Sequence, residues 1–466
     1  MNKGSINSIG KKQKNKHISP LLVEEYKISY CIIVALYVII GDTKNKHNDL
    51  EKIRMKNLLE EAERCLQCKN PRCRKFCPID TAIPEAIALY KEGKIMEAGE
   101  MLFENNPLTA VCAIVCPHED QCKGNCIMGI KGEPVSFCDI EAEVSRHYLE
   151  NVRFKRTKER DESVAIIGAG PAGITLAFIL AKEGYDITIF DAHENVGGIM
   201  RYGIPEYRLP NELIDLYKDR LRELGVKFRP NTLIGPVITL DKMFEDGYKA
   251  IFIGTGVWNP KPLNIKGETL GNVHYAIDYL KAPQAYEDLG DRVVIIGAGN
   301  VAMDASRTAK RNGAKEVFVM YRKGFENMTC TKAELEEAKE DGVQFELFKA
   351  PLEITKKGVK YIKTQNETDE DGKIYTKTLE GTEDFFACDT TIIAVSQNPR
   401  NNIVSTTTGL DTNKWGLLVT DDAGNTTKKG VFASGDVVTG AKTVVEAAAH
   451  AKVVAKEIMK YMDENK

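Results

Sequence analysis

The stretch SVAIIGAGPAGITLAFILAKEGYDITIFDA, residues 163–192, decides the fold. An apolar run, VAII, enters a glycine-rich turn and leaves it as a helix-forming segment; a second apolar run, ITIF, follows. Short apolar runs that end in small residues are strands buried on both faces, which is the habit of a parallel sheet. Set between such a strand and helix, Gly168-x-Gly170-x-x-Gly173 is a dinucleotide-binding fingerprint. The first glycine permits the tight turn, the second lets backbone approach a pyrophosphate, and the third packs the helix on the sheet. The helix N-terminus then faces the phosphates. Asp191 ends the second strand, where a carboxylate can bind a ribose hydroxyl. That favours an unphosphorylated ribose, as in FAD.

The same unit returns as RVVIIGAGNVAM, residues 292–303, giving Gly297-x-Gly299-x-x-Ala302. Its second strand ends in Tyr321-Arg322-Lys323 instead of an acid. A carboxylate there would repel a 2′-phosphate, whereas a guanidinium can bind it bidentately. NADPH is therefore expected over NADH at this second site. AIFIGTG (250–256), TTIIAVS (390–396) and GVFASGD (430–436) read as further buried strands. Residues 365–384 are polar and read as an exposed hairpin. The fold class expected is α/β, with two Rossmann-like domains.

Upstream the character differs. CLQCKNPRCRKFCP, residues 65–78, and CAIVCPHEDQCKGNC, residues 112–126, hold eight of the twelve cysteines. Helical spacing over 51–66, and over 82–103 with a break near Gly93, predicts a small α-helical module around them. Thiolates ligate zinc and iron–sulfur clusters alike, so spacing alone leaves both open. Disulfide reductases of the two-nucleotide fold carry a C-x-x-C beside the flavin, but none occurs after residue 68, and Cys330 and Cys388 are isolated. Electrons leaving a flavin then need another exit. Clusters provide one and zinc does not.

The 466 residues suffice for several domains, and 43% hydrophobic content fills their cores. With 64 basic and 67 acidic residues and no basic tail, nucleic acid is not an expected partner. The run ISYCIIVALYVII, residues 28–40, is shorter than the roughly 20 residues of a membrane span. A cytoplasmic protein without membrane attachment is expected.

The cysteine pattern C-x2-C-x4-C-x3-CP, then C-x3-CP-x4-C-x3-C, followed by both glycine fingerprints, resembles the glutamate synthase small chain. It is equally similar to the N-terminal half of dihydropyrimidine dehydrogenase and to the larger subunit of ferredoxin-dependent NADP transhydrogenases. The resemblance covers about residues 55–460. It implies an extension (1–50), a helical domain with two 4Fe–4S clusters (51–150), a discontinuous FAD domain (160–287 and 389–462) and an inserted NADPH domain (288–388). Cys65, Cys68, Cys73 and Cys126 would hold one cluster. Cys77, Cys116, Cys122 and Glu141 would hold the other, with Cys112 and Cys138 as rivals for the place of Glu141. Gly198, Arg208, Gly435, Asp436 and Thr443 would lie beside FAD. The stretch RKGFENMTCTKAE, residues 322–334, departs from the run usual in the small chains, and its start, RKGF, is nearer to dihydropyrimidine dehydrogenase. The implied function is electron input from NADPH through FAD and the clusters, with no catalytic side chain. A larger acceptor subunit or ferredoxin would be the partner, and an oligomer is compatible with this.

Overall fold

The computed structural model describes residues 57–286, 288–368 and 374–465. The apolar run 28–40 and the extension 1–50 lie outside the described residues. The chain divides into two units, residues 1–60 and 61–466, and everything below concerns the second. No helix among the described residues is long and apolar enough to cross a membrane.

Helices α1 (Ile83–Lys91) and α2 (Ile95–Asn105) are separated by Gly93, whose φ of +75° suits the left-handed turn expected there. Helices α3 (Thr109–Val115) and α4 (Phe137–Asn151) complete the module. Gly99 lets α2 lie flush on α4, because a Cβ there would fall 2.3 Å from that of Tyr148. Phe103 packs at a tilt against Tyr148 on one side, with ring centroids 5.6 Å apart. It meets Phe178 edge-on, at 5.1 Å, on the other. The module thus shares one core with the helix that carries the first fingerprint.

That helix is α5 (Pro171–Lys182), reached from strand β1 (Ser163–Ile167). Strands β2 (Asp186–Phe190) and β4 (Tyr248–Ile253) pair with it in parallel on its two sides, β3 (Lys227–Arg229) joins in parallel beyond β2, and the late strand Val431–Ala433 joins beside β4. Val164, Ala165 and Ile166 are fully buried, as the unbroken apolar run requires.

The second sheet repeats the design. It holds β5 (Val273–Tyr275), β6 (Arg292–Ile296), β7 (Glu316–Tyr321), β8 (Gln344–Leu347) and the strand Thr390–Ile393, all parallel. This sheet is wider than residues 288–388. Its edge strand β5 precedes that span, and Thr390–Ile393 follows it. The physical reason is a crossover ladder: Asn259–Pro260 pairs antiparallel with Gln397–Asn398, so both connections to the first sheet run together. Strands Lys349–Thr355, Gly358–Thr368, Ile374–Thr378 and Asp384–Ala387 form an antiparallel meander. The polar hairpin read over residues 365–384 corresponds to the end of Gly358–Thr368 paired with Ile374–Thr378; the first arm begins earlier, with Val359, Tyr361 and Ile362 buried.

Candidate functional site: a shared nucleotide cavity with a thiol-rich wall

Both fingerprints open onto one cavity of about 1120 Å³. In the first, Gly168 has φ +108°, and a Cβ would sit 2.4 Å from the Gly254 carbonyl oxygen. Gly173 is as tight, 2.0 Å from the Gly168 oxygen. Gly170 is different: nothing lies nearer than 3.9 Å to its Cβ position, and it faces the cavity. The protein leaves that space for something else, which is the cradle a pyrophosphate needs. Asp191 is anchored as the loop's acceptor. Its carboxylate takes the Ala169 N–H at 2.6 Å and the His193 N–H at 2.7 Å. Gly198, at φ +53°, backs directly on Gly170.

From the late strand, Gly435 turns with φ +77°, and Asp436 starts a short helix into the cavity. Burial pushes the Asp436 carboxyl up to about 6. Thr443 also lines the cavity, while its hydroxyl closes a capping box with Glu446 at the start of α6 (Val444–Glu464). The sequence reading missed the aromatic wall beside Asp191: His193 stacks on Tyr202 at 4.7 Å and touches Trp258 at 4.8 Å.

At the second fingerprint, Gly297 has φ +135°, and a Cβ would meet the Ala394 oxygen at 2.2 Å. Gly299 faces the cavity, and Ala302, in the first turn of the helix Asn300–Arg311, is buried. Arg322 is exposed on the cavity wall and makes no ion pair among the described residues. Lys323 does not line the cavity. Arg208 does, but its guanidinium is committed elsewhere. It bonds Asp304 at 2.5 Å and Glu334 at 2.7 Å, both nearly buried, on two helices that flank the second fingerprint. A lone acid inside the apolar face of NVAMDASR was the available signal for Asp304.

The cysteines fall into two neighbourhoods. Burial, with the nearby Cys68 and Cys126 thiols, raises Cys65. Burial, with Cys126, Cys65 and Cys68, raises Cys73 to about 11. The second neighbourhood joins Cys116 with Cys112, Glu141 and Cys122, and Cys122 with Glu141, Cys138 and Cys77. Glu141 is buried, accepts the Thr109 hydroxyl at 2.7 Å, and is pushed by burial up to about 7. Cys112 takes an N–H from Asn106 at 3.2 Å, and Cys138 sits 3.4 Å from the Ser136 hydroxyl. None of the described cysteines is in a disulfide. Among the described residues no three His, Cys, Asp or Glu side chains converge on a single ion. Val115 and Pro117, on either side of Cys116, line the nucleotide cavity, so the second neighbourhood lies at its wall.

Two dinucleotide folds sharing one cavity, with a thiol-rich module in its wall, define a flavin- and pyridine-nucleotide-dependent oxidoreductase. The profile of the pyridine nucleotide-disulphide oxidoreductases matches residues 125–247 and 162–451, and that of dihydropyrimidine dehydrogenase domain II, 4Fe–4S cluster, matches residues 42–152. The glutamate synthase [NADPH] small chain of Escherichia coli is 32% identical over 86% of this chain and 91% of its own length. The NADPH-Fe(3+) oxidoreductase subunit beta of Geobacter sulfurreducens is 31% identical over 84% of this chain and 64% of its own. FprA of Mycobacterium tuberculosis, solved with NADPH, shares the fold at a TM-score of 0.56 and 17% identity, over 66% of this chain and 85% of that one. The chain belongs to the pyridine nucleotide-disulphide oxidoreductase family, in the group of iron–sulfur flavoproteins that includes the glutamate synthase small chains. It is an oxidoreductase with FAD and NADPH sites and a 4Fe–4S module.

Arg322→Gln is expected to raise the NADPH concentration needed for half-maximal flavin reduction about 10- to 100-fold, the worth of one charge-assisted phosphate contact. The NADH value should stay within about twofold. Stopped-flow reduction of the flavin with each nucleotide measures both.

Proposed function

We propose that this chain is the electron-input subunit of a glutamate synthase. A larger partner would form two glutamates from glutamine, 2-oxoglutarate, one proton and the two electrons of one NADPH. The observation that carries the reading is the cavity itself: residues beside Cys116 line the same space as Gly170, Gly299 and Asp436. When bound, NADPH, FAD and the clusters supply hydride transfer and its conversion into single electrons. The chain's own residues bind and orient. Gly170 leaves room for one pyrophosphate, Gly299 faces the cavity where the other would lie, and Arg322 meets the 2′-phosphate. Two thiol sets, Cys65, Cys68, Cys73 and Cys126, and Cys77, Cys116 and Cys122 with Glu141, hold two 4Fe–4S clusters. The Cys116 set lies inward and the Cys65 set outward. No side chain is needed as acid or base. The resemblance in sequence, which extends over about nine tenths of the small chains, supports the assignment.

The native complex, isolated without oxygen, is expected to contain iron and sulfide for two clusters and a large second chain. NADPH should then drive glutamate formation from glutamine and 2-oxoglutarate. If NADPH bleaches the flavin and no glutamate forms, the acceptor is a pyrimidine-reducing partner or ferredoxin instead.

A further inference from the structure

The outward thiol set sits under an unusual surface. Leu66 and Ile127 each follow one of its cysteines directly, and they are 61% and 45% exposed; Ile130, at the other end of the short 3-10 helix Ile127–Ile130, is 64% exposed. The segments carrying them are drawn together around the thiols, for Cys126 neighbours Cys65 and Cys73. Large apolar side chains held open beside a redox centre are characteristic of a contact face. Charge adds a second, independent observation. Lys69, Arg72 and Lys75 lie between or beside the same cysteines, are exposed, and make no ion pair among the described residues. Arg74, from the same loop, is by contrast tied to Asp80 at 2.8 Å. No acid occurs between Cys65 and Ile79 to neutralise the other three.

We propose that this face docks the acidic surface of a one-electron acceptor protein, whose carboxylates meet Lys69, Arg72 and Lys75 while its apolar centre covers Leu66, Ile127 and Ile130. The proposal rests on the electron-input reading and names the chemistry of its partner. Each NADPH oxidised sends two electrons singly across this contact, and the acceptor is reduced twice, or two acceptors once each. The inward set, at the cavity wall, has no such role. Steering of this kind speeds encounter about 10-fold or more and fades as salt screens it.

The test uses the full-length protein loaded with flavin and clusters, with an acidic ferredoxin as probe and a neutral quinone as control. Protein pre-reduced with dithionite should reduce the ferredoxin at a rate that falls at least 10-fold from low to high salt. The quinone rate should not change. In Lys69→Glu/Lys75→Glu, with iron content unaltered, the low-salt ferredoxin rate should fall about 10-fold or more and lose most of its salt dependence. The quinone rate should again hold. An equal slowing of both acceptors with a shifted cluster potential would overturn the proposal, because the cations would then serve the cluster's own charge. So would a flat salt profile in the unaltered protein, or an unchanged ferredoxin rate in the variant. Reduction by NADPH is scored separately: its failure, with the dithionite reaction intact, would sink the electron-input reading and leave the docking face standing.

Discussion

Gly170→Val is expected to yield a folded chain that cannot keep its flavin. The reasoning separates the three glycines of the first fingerprint. At Gly168 and Gly173 a side chain strikes backbone within 2.4 Å and 2.0 Å, so substitution disturbs the turn and the helix seat. At Gly170 the nearest heavy atom is 3.9 Å from the Cβ position, and the backbone, at φ −85°, suits any residue. The protein alone therefore tolerates a side chain there. The pyrophosphate does not, because the added methyls occupy the space through which it approaches the amides at the start of α5. Losing two backbone hydrogen bonds to an ionised phosphate costs about 1.5–3 kcal/mol each. Affinity should fall roughly 10²- to 10⁴-fold. The variant should purify colourless, with a far-ultraviolet spectrum and melting temperature equal to those of the flavin-free parent. A variant that retains flavin at the parental level would show that the cradle lies elsewhere. A variant that fails to fold would contradict the open space at Gly170.

These glycines were legible in the sequence because their constraint is local. A positive φ or a close approach is imposed by the turn itself, and a short apolar strand before it announces where the turn falls. The helix break at Gly93 was legible for the same reason. What remained hidden is set by the meeting of distant segments. Strand β5 is three residues long and half-buried, with no alternation to betray it. The crossover ladder between Asn259–Pro260 and Gln397–Asn398 is two residues on each side. Thr109, which holds Glu141, lies 32 residues before it. Arg208 was read as a flavin neighbour. It does line the cavity, but its partners stand 96 and 126 residues further along.

That last arrangement gives the other large effect. Arg208→Met should destabilise the flavin-loaded protein by about 3–5 kcal/mol, the usual consequence of leaving a buried charge without its partner. Asp304 and Glu334 have side chains only 6% and 8% exposed, and Arg208 is the cation held between them. Burial already pushes Asp304 up to about 6 against the pull of that cation. With the guanidinium gone, the carboxyl rises further. The sign follows from linkage: an acid whose folded pKa exceeds its unfolded value of about 3.9 favours the folded state when protonated. The deficit of Arg208→Met should therefore be small near pH 5 and grow toward pH 8. Urea unfolding at both pH values measures it. Adding Asp304→Asn and Glu334→Gln should recover much of the loss and flatten the pH dependence, since neutral amides do not need the cation. Arg208→Lys should fall between, because one ammonium cannot reach both carboxylates with the fork geometry of a guanidinium. The clamp also joins the segment after the first fingerprint to the two helices beside the second. On the same segment, Tyr207 lies 4.2 Å from the Arg311 guanidinium. Loosening it should slow flavin reduction by NADPH about 10-fold even where the protein remains folded, because the two nucleotide sites lose their fixed mutual orientation. A variant that unfolds earlier yet reduces its flavin at the parental rate would confine Arg208 to stability.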